Sequence, residues 1–407
     1  MKTRPYAPYA PHDPADTEEL PRCETTEEFP RIIFPTEPTD ITITLPRFTN
    51  TTTPHIGRVI VLVPARNEGD CIAATVNAVY AQQHAPDRVI VVINNATDDG
   101  ETEREAKAAG AEVIDAGTCK HHKAQALNHA LAQILPGLTD DDYVLIQDAD
   151  TQLNDTFIGD ALAACGRRVG GVCARYDTHT PQGLLQWLQA NEFTRSRRKT
   201  TRDKSQARIL VGIAALFSVR VIRDVIQARS DGTLPGSPTF YNEGSSCEDY
   251  RLTLDLKALG YKLVCPAACR PRTHAMPTFK KLWGQRVRWT RGALDDLREL
   301  GYNKVTRRYF WAQWARLFAL LSPLIYISYL ISLEVQYHTI VWQLFWLWVN
   351  ALTITERLIT VRKGGWKAML LAALILPELA YDWYLAAAYF TGIYKHLRSK
   401  PAEWKET

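Results

Sequence analysis

Several signatures that would assign this sequence at a glance are missing from it. No G-x-G-x-x-G or G-x-x-x-x-G-K-[ST] follows any apolar run, which argues against a dinucleotide fold and a P-loop. The eight cysteines contain no C-x-x-C pair, and Cys265 and Cys269 have no second pair or nearby histidines to complete a zinc site. Cys119 with His121 and His122 also lacks the remaining ligands. Scattered thiols of this kind fit reduced, buried cysteines in a cytosol-facing protein. The N-terminus is rich in Pro, Asp, Glu and Thr and has no apolar h-region, so no signal peptide is expected. A formal net charge of +4 shows no strong excess of either sign, so no nucleic-acid partner is expected. There is no internal repeat.

What is present is unevenly distributed. At 407 residues the chain has room for two or three domains. Residues 1–57 form a Pro/Thr/acidic arm in which only Ile41 to Leu45 alternates like a strand. Residues 58–303 read as a soluble α/β domain. Residues 304–397, where tryptophan and leucine crowd together, read as membrane-associated helices, and 398–407 as a short tail.

The α/β domain has a repeating grammar. Val59 to Val63 is a continuous apolar run ending in Pro64-Ala65-Arg66-Asn67-Glu68, followed by a helical pattern to Gln83. Val89 to Ile93 is a second run, ending in Asn94-Asn95-Ala96-Thr97-Asp98-Asp99. A helix from Glu101, a strand at Ala111–Asp115 and a helix carrying Lys123, Ala124, Leu127 and Leu131 come next. Strands this apolar, alternating with helices, predict a mostly parallel sheet covered on both faces, with ligands at the carboxyl ends of the strands.

Tyr143 to Ile146 is a further buried strand, and it breaks into Gln147-Asp148-Ala149-Asp150. If strand geometry persists, Asp148 and Asp150 project to one side of the sheet edge. Two hard oxygen ligands there suit Mg²⁺ or Mn²⁺; a solvated turn is the plainer reading. Further on, Leu210 to Phe217 is an apolar run interrupted by Gly212, as expected where backbone approaches a ligand closely. Ser246-Cys247-Glu248-Asp249 opens a helix and has the outline of a capping box, so Glu248 and Asp249 serve either chemistry or a helix N-terminus. Gln285, Arg288 and Trp289 share one helix face. A guanidinium for phosphate oxygens beside a flat indole suits a sugar diphosphate, although an interfacial basic helix would look the same. The basic run Arg195 to Arg202 reads as a solvated face or a contact for anionic lipid.

Taken in order, these elements resemble the family 2 glycosyltransferases, in the membrane branch that contains cellulose, chitin and hyaluronan synthases. The resemblance runs from Arg58 to Gly292 and rests on the Pro64–Glu68 and Asn94–Asp99 loops, Lys123-Ala124-x-Ala126-Leu127-Asn128, Asp148-x-Asp150, Glu248-Asp249 and Gln285-x-x-Arg288-Trp289. It implies a GT-A fold, Rossmann-like with a mostly parallel sheet, and inverting transfer from a UDP-sugar, with Mg²⁺ or Mn²⁺ as cofactor. Asp150 would coordinate the metal, and Asp148 the metal or the nucleotide. Ala65, Glu68 and Asn95 would line the uridine pocket, and Lys123 would hold the nucleotide. Asp249, beside Glu248, would be the general base, and Gln285, Arg288 and Trp289 would border acceptor and pyrophosphate. Asn94-Asn95 replace an expected acidic residue, and His274 stands ahead of Pro277 where an acid is expected.

Leu317 to Leu333 is a charge-free run near the lower length limit for a span; Thr339 to Thr355 is a second. Ala368 to Ile393 is interrupted by Pro377, Glu378 and Asp382, and is expected to be re-entrant or interfacial, with an ordinary third span as the alternative and both carboxylates needing partners either way. Basic residues before the first run and after the second place the catalytic domain on the cytoplasmic face of a multi-pass membrane protein. The expected partners are a UDP-sugar, a glycan, lipid or protein acceptor, and membrane lipid. Product length stays open between a β-linked polysaccharide and one or a few sugars on a lipid or protein. A nucleotidyltransferase using the aspartate pair, and a non-catalytic scaffold or transporter, are the competing classes.

Overall fold

The structure is a computed structural model that describes residues 57–120, 122–203, 205–337 and 344–398. The N-terminal arm, its expected strand and Cys23 lie outside the described residues. Continuous β-branched runs give β1 (Val59–Ala65), β2 (Arg88–Ile93) and β4 (Tyr143–Gln147), with β3 (Glu112–Asp115), β5 (Val169–Cys173), β7 (Ala214–Ser218) and β8 (Lys262–Val264) completing one sheet. Its order is β3-β2-β1-β4-β7-β5-β8. β1 pairs in parallel with β2 and β4, and β5 with β8. β7 runs antiparallel to both of its neighbours, so the parallel expectation fails at that one strand. A small second sheet pairs β6 (Asp177–Thr178) with β9 (Arg272–Thr273).

Because successive strand residues face opposite sides, β1 feeds two cores. Ile60 and Leu62 join a cluster with Leu127 and Leu131 of α3 (His122–Ile134) and Val221 and Ile222 of α6 (Val219–Ser230). Val59, Val61 and Val63 join Ile72 and Val76 of α1 (Ile72–Tyr80) and Phe157 and Ile158 of α4 (Phe157–Ala163). Each such fully buried aliphatic or aromatic side chain contributes about 1.5–3 kcal/mol. α2 (Glu101–Ala108), α5 (Gly183–Arg202), α7 (Glu248–Ala258) and α8 (Phe279–Leu300) complete the α/β part.

α9 (Arg307–Tyr337), α10 (Leu344–Val361), α11 (Trp366–Ala373) and α12 (Leu376–Leu397) follow. Among the described residues one helix, Arg307–Gln336, is long and apolar enough to cross a membrane, with mean hydropathy 1.7 over an 18-residue window of which none is buried. The second expected run begins outside the described residues. The third is broken, with α11 and α12 meeting at 79°. Ile375, at φ 55°, sits in that break in a conformation costly for a β-branched residue, just ahead of Pro377. α12 packs along α8, where Gly392 lies so near that an added Cβ would meet Thr290 Cγ2 at 2.8 Å.

The carboxylates of α12 find their partners. Glu378, 1 % exposed, receives Arg195 at 2.6–2.7 Å, Asn191 at 2.9 Å and Arg357 at 2.7 Å. Arg357 also reaches Asp382 at 2.8 Å. Arg197 pairs with Asp177. The basic run of α5 is therefore not simply a solvated face: Arg195 and Arg197 turn inward to neutralise carboxylates.

Candidate active site

The site forms where β1, β2 and β4 end. The loops after β1 and β2 are joined side chain to backbone, Asn67 Oδ1 accepting from Thr97 N at 2.7 Å. Asn67, Asn95 and Asp99 all adopt left-handed backbone (φ 49–53°), which Asn and Asp tolerate better than other side chains. Such strained residues gather at functional edges. Asn95, expected to line the uridine pocket, uses its amide on the backbone of Cys119, donating to the carbonyl and accepting from the N–H at 2.9 Å each. Ala65 is buried at the end of β1. Burial raises the Glu68 carboxyl; the Cys71 thiol opposes this, and Asp150 and Asp148 add to it, so Glu68 belongs to the same acidic edge.

β4 stops at Gln147, and Asp148-Ala149-Asp150 form a turn closed by Thr151 N donating to Asp148 O at 3.2 Å. The strand geometry expected to aim both carboxylates one way does not persist, and the turn separates their partners. Asp148 Oδ1 accepts from Lys123 Nζ at 2.5 Å. Asp150 Oδ1 accepts from Thr151 and Thr273 hydroxyls at 3.3 Å. Burial, then Asp148, raises the Asp150 carboxyl, while His274 pulls it down. His274 therefore lies within electrostatic reach of Asp150, which gives this unexpected histidine a place. Glu68, Asp70 and Cys71 also bring potential ligand atoms within 4.8 Å of one another. Burial, then Glu68, holds the Cys71 thiol well above its ordinary range, and a protonated thiol is a poor ligand for a hard cation.

The Lys123–Asn128 motif does two jobs on one helix. Burial disfavours the Lys123 charge, but Asp148, Asp249 and Glu248 together hold it above its ordinary range. One turn on, Asn128 clamps Tyr241, donating to its carbonyl and accepting from its N–H at 2.9 Å each. Tyr241, 1 % exposed, is itself pushed up by burial and then by Asp249. Tyr241 therefore lies within electrostatic reach of Asp249, a residue not anticipated from sequence.

Glu248 and Asp249 open α7, but no capping box forms. Cys247 is the N-cap and no side chain caps the helix, so Asp249 is free of that structural duty. Its carboxylate lies against the backbone before β7: a Cβ added at Gly212 would stand 1.7 Å from Asp249 Oδ2. The close approach expected of Gly212 is thus to the Asp249 carboxylate. Asp249 Oδ1 is buried with no hydrogen-bond partner. Burial, then Glu248, pushes its carboxyl up to about 7, with Lys123 and Arg288 opposing.

α8 supplies Arg288, which donates to Ser246 O at 3.1 Å. Gly292 lets α8 meet this loop, since a Cβ there would lie 2.6 Å from Ser246 Oγ. Of the expected trio, Arg288 acts on Asp249. Trp289 is half exposed under the Arg286 guanidinium, 4.7 Å from its ring centroid. Gln285, one turn earlier, is partly exposed.

An α/β sheet with an acidic edge, a half-buried carboxylate and flanking cations is suited to group transfer. Residues 60–226 match the model described as Glycosyl transferase family 2. Over those residues the chain is similar to a family 2 glycosyltransferase domain, and the fold is of the GT-A type. Among solved structures it is similar to the mannosyltransferase PcManGT from Pyrobaculum calidifontis in complex with GDP-Man and Mn²⁺, with TM-score 0.52 and 18% identity over 85% of this chain and 89% of that one. It also matches glucosyl-3-phosphoglycerate synthase from Mycobacterium tuberculosis in complex with Mn²⁺, UDP and phosphoglyceric acid, with TM-score 0.40 and 19% identity over 61% and 80% of the chains. The same synthase with Mg²⁺ and UDP gives TM-score 0.38 and 18% identity over 59% and 78%. No curated protein sequence matches the chain significantly.

Proposed function

We propose that this glycosyltransferase works at a membrane, moving a sugar from a UDP-sugar to an acceptor hydroxyl by single displacement with inversion. The observation that carries the reading is Asp249, a half-buried carboxylate packed against Gly212 with Oδ1 buried and unpartnered, raised toward neutrality and facing Lys123 and Arg288. A base of that strength takes the proton as the acceptor oxygen bonds to the anomeric carbon and the bond to the diphosphate breaks. Glu248 keeps the Asp249 proton affinity high. Lys123 and Arg288 meet the negative charge that develops on the leaving group.

The carboxylates of Asp150 and Asp148 are hard oxygen donors that would hold Mg²⁺ or Mn²⁺. The raised Asp150 carboxyl reflects crowded negative charge that a cation relieves. When bound, the ion neutralises charge on the diphosphate. Ala65, Glu68 and the loop backbone at Asn95 flank the nucleotide base.

Gln285-x-x-Arg288-Trp289 supports a place near the polysaccharide synthases. The single long apolar helix among the described residues instead favours transfer of one or a few sugars to a lipid, glycan or protein, with the catalytic domain on the cytoplasmic side. The test is nucleotide release by the detergent-solubilised protein over a panel of UDP- and GDP-sugars with Mn²⁺ or Mg²⁺, with Asp150→Asn as control. Metal-dependent release with a UDP-sugar, lost in the variant, is expected. Failure of every nucleotide sugar to bind in calorimetry would sink the reading.

A further inference from the structure

Beside the acidic edge lies a second polar cleft that the transfer chemistry does not use. Its two lobes, of about 250 and 360 Å³, share Thr178, His179 and Thr180. None of Lys123, Asp148, Asp249 and Arg288 lines either lobe. The outer lobe is walled by Trp187 and Arg197 of α5, Arg272 of β9, and Lys363 in the 3-10 turn between α10 and α11.

Its charges do not balance. Asp177 is the sole carboxylate lining it, and Asp177 is already paired with Arg197 and, at 3.6 Å, with Arg270. Arg272 and Lys363 are exposed and have no carboxylate partner among the described residues. Arg272 is anchored through its backbone, which exchanges hydrogen bonds with Gln152 at 2.8 Å, so its guanidinium is not needed to hold the strand. At the junction of the lobes, His179 Nε2 is buried with no hydrogen-bond partner. Its ring lies 4.6 Å from that of His274, the residue beside Asp150. Unpartnered cations around an unused imidazole nitrogen make a receptor for a compact dianion. The cleft connects the metal-side histidine to the turn that leads into the apolar helices.

We propose that this cleft binds the phosphate of a phosphomonoester-bearing acceptor, with Arg272 and Lys363 as its counter-charges and His179 forming part of its wall. The word acceptor rests on the transferase reading; the phosphate site itself does not. A phosphate held here places the rest of the acceptor along the His179–His274 lobe toward Asp150. The phosphate belongs either to a soluble phosphorylated acceptor or to a lipid headgroup.

The test is calorimetric titration of the full-length, detergent-solubilised protein with glycerol 3-phosphate, with short-chain phosphatidic acid, and with short-chain phosphatidylcholine as the control. The runs are made with and without saturating UDP. Binding of a phosphomonoester that UDP does not displace is expected. Arg272→Gln and Lys363→Gln should each weaken it by about tenfold while UDP affinity stays unchanged. Binding of glycerol 3-phosphate assigns a soluble source, and binding of phosphatidic acid alone assigns a lipid one. The proposal is overturned if neither phosphomonoester binds, if UDP displaces it, or if both variants bind like wild type. Lys363→Gln alters an exposed turn side chain, so it reports even where Arg272→Gln folds poorly. Phosphomonoester binding without any nucleotide-sugar binding would defeat the transferase reading and leave the site standing.

Discussion

Replacing Asp249 with Asn should make the enzyme more stable and nearly inactive, with both effects tied to pH. The carboxyl is raised from 3.8 to about 7 by burial and by Glu248, after the opposing pull of Lys123 and Arg288 has been counted. A shift of that size corresponds to roughly 4 kcal/mol of differential cost for the ionised form. The sign follows from linkage: folded-state protonation is favoured, so the contribution is fully present below the unfolded value and is lost as pH rises through about 7. Asparagine carries no charge to bury. Asp249→Asn should therefore match wild type near pH 4 and exceed it increasingly up to pH 8.5, by a gap approaching roughly 4 kcal/mol. Thermal or urea unfolding at both pH values measures it. Turnover should fall by about 10²–10⁴-fold, and wild-type kcat/KM should rise with pH to a plateau with its midpoint near 7. A variant that is less stable at pH 8.5, or whose stability difference does not change with pH, would refute the argument that Asp249 is held buried at a cost.

Two further outcomes follow from packing. Gly212→Ala puts a methyl 1.7 Å from Asp249 Oδ2, so the loop or the carboxylate must move; stability should fall by about 1–3 kcal/mol and kcat by about 10²-fold, while nucleotide affinity measured by calorimetry is largely kept. Glu378→Ala leaves Arg195 and Arg357 without their shared carboxylate, which should cost about 3–5 kcal/mol in thermal unfolding, with Glu378→Gln milder.

Much of this was legible in the sequence because local signals and tertiary structure agree. The runs at Val59, Val89 and Tyr143 could be little else than buried strands, and the acids and amides after them had to fall at one sheet edge. What escaped depends on pairing at a distance. Ala214–Ser218 has the same apolar composition as a parallel strand, and composition does not encode direction. Ser246 and Asp249 have the spacing of a cap, but the loop packed under Gly292 moves the helix start to Glu248. Arg195 looks solvated until Glu378, far along the chain, is placed opposite it. His274 drew notice only as an odd residue; its relation to Asp150 depends on how β9 pairs.

The reversed strand also limits how the enzyme can vary. In a parallel sheet every strand delivers its end to the ligand edge, and strand beginnings lie on the far side. By running backward between β4 and β5, β7 delivers its beginning to that edge, which is how Gly212 and Ile213 arrive beside Asp249 and Asp148. The register Gln147↔Ala214 therefore couples the Asp148–Asp150 turn to the Asp249 carboxylate as a fixed distance along one ladder. A one-residue insertion before β7 would not be absorbed as slack. It would exchange the faces of the strand and carry the glycine away from the carboxylate it was shaped to cover. Long connections elsewhere can change freely; the bond from Asp148 N to Ile213 O sets the alignment between the Asp148–Asp150 turn and Asp249.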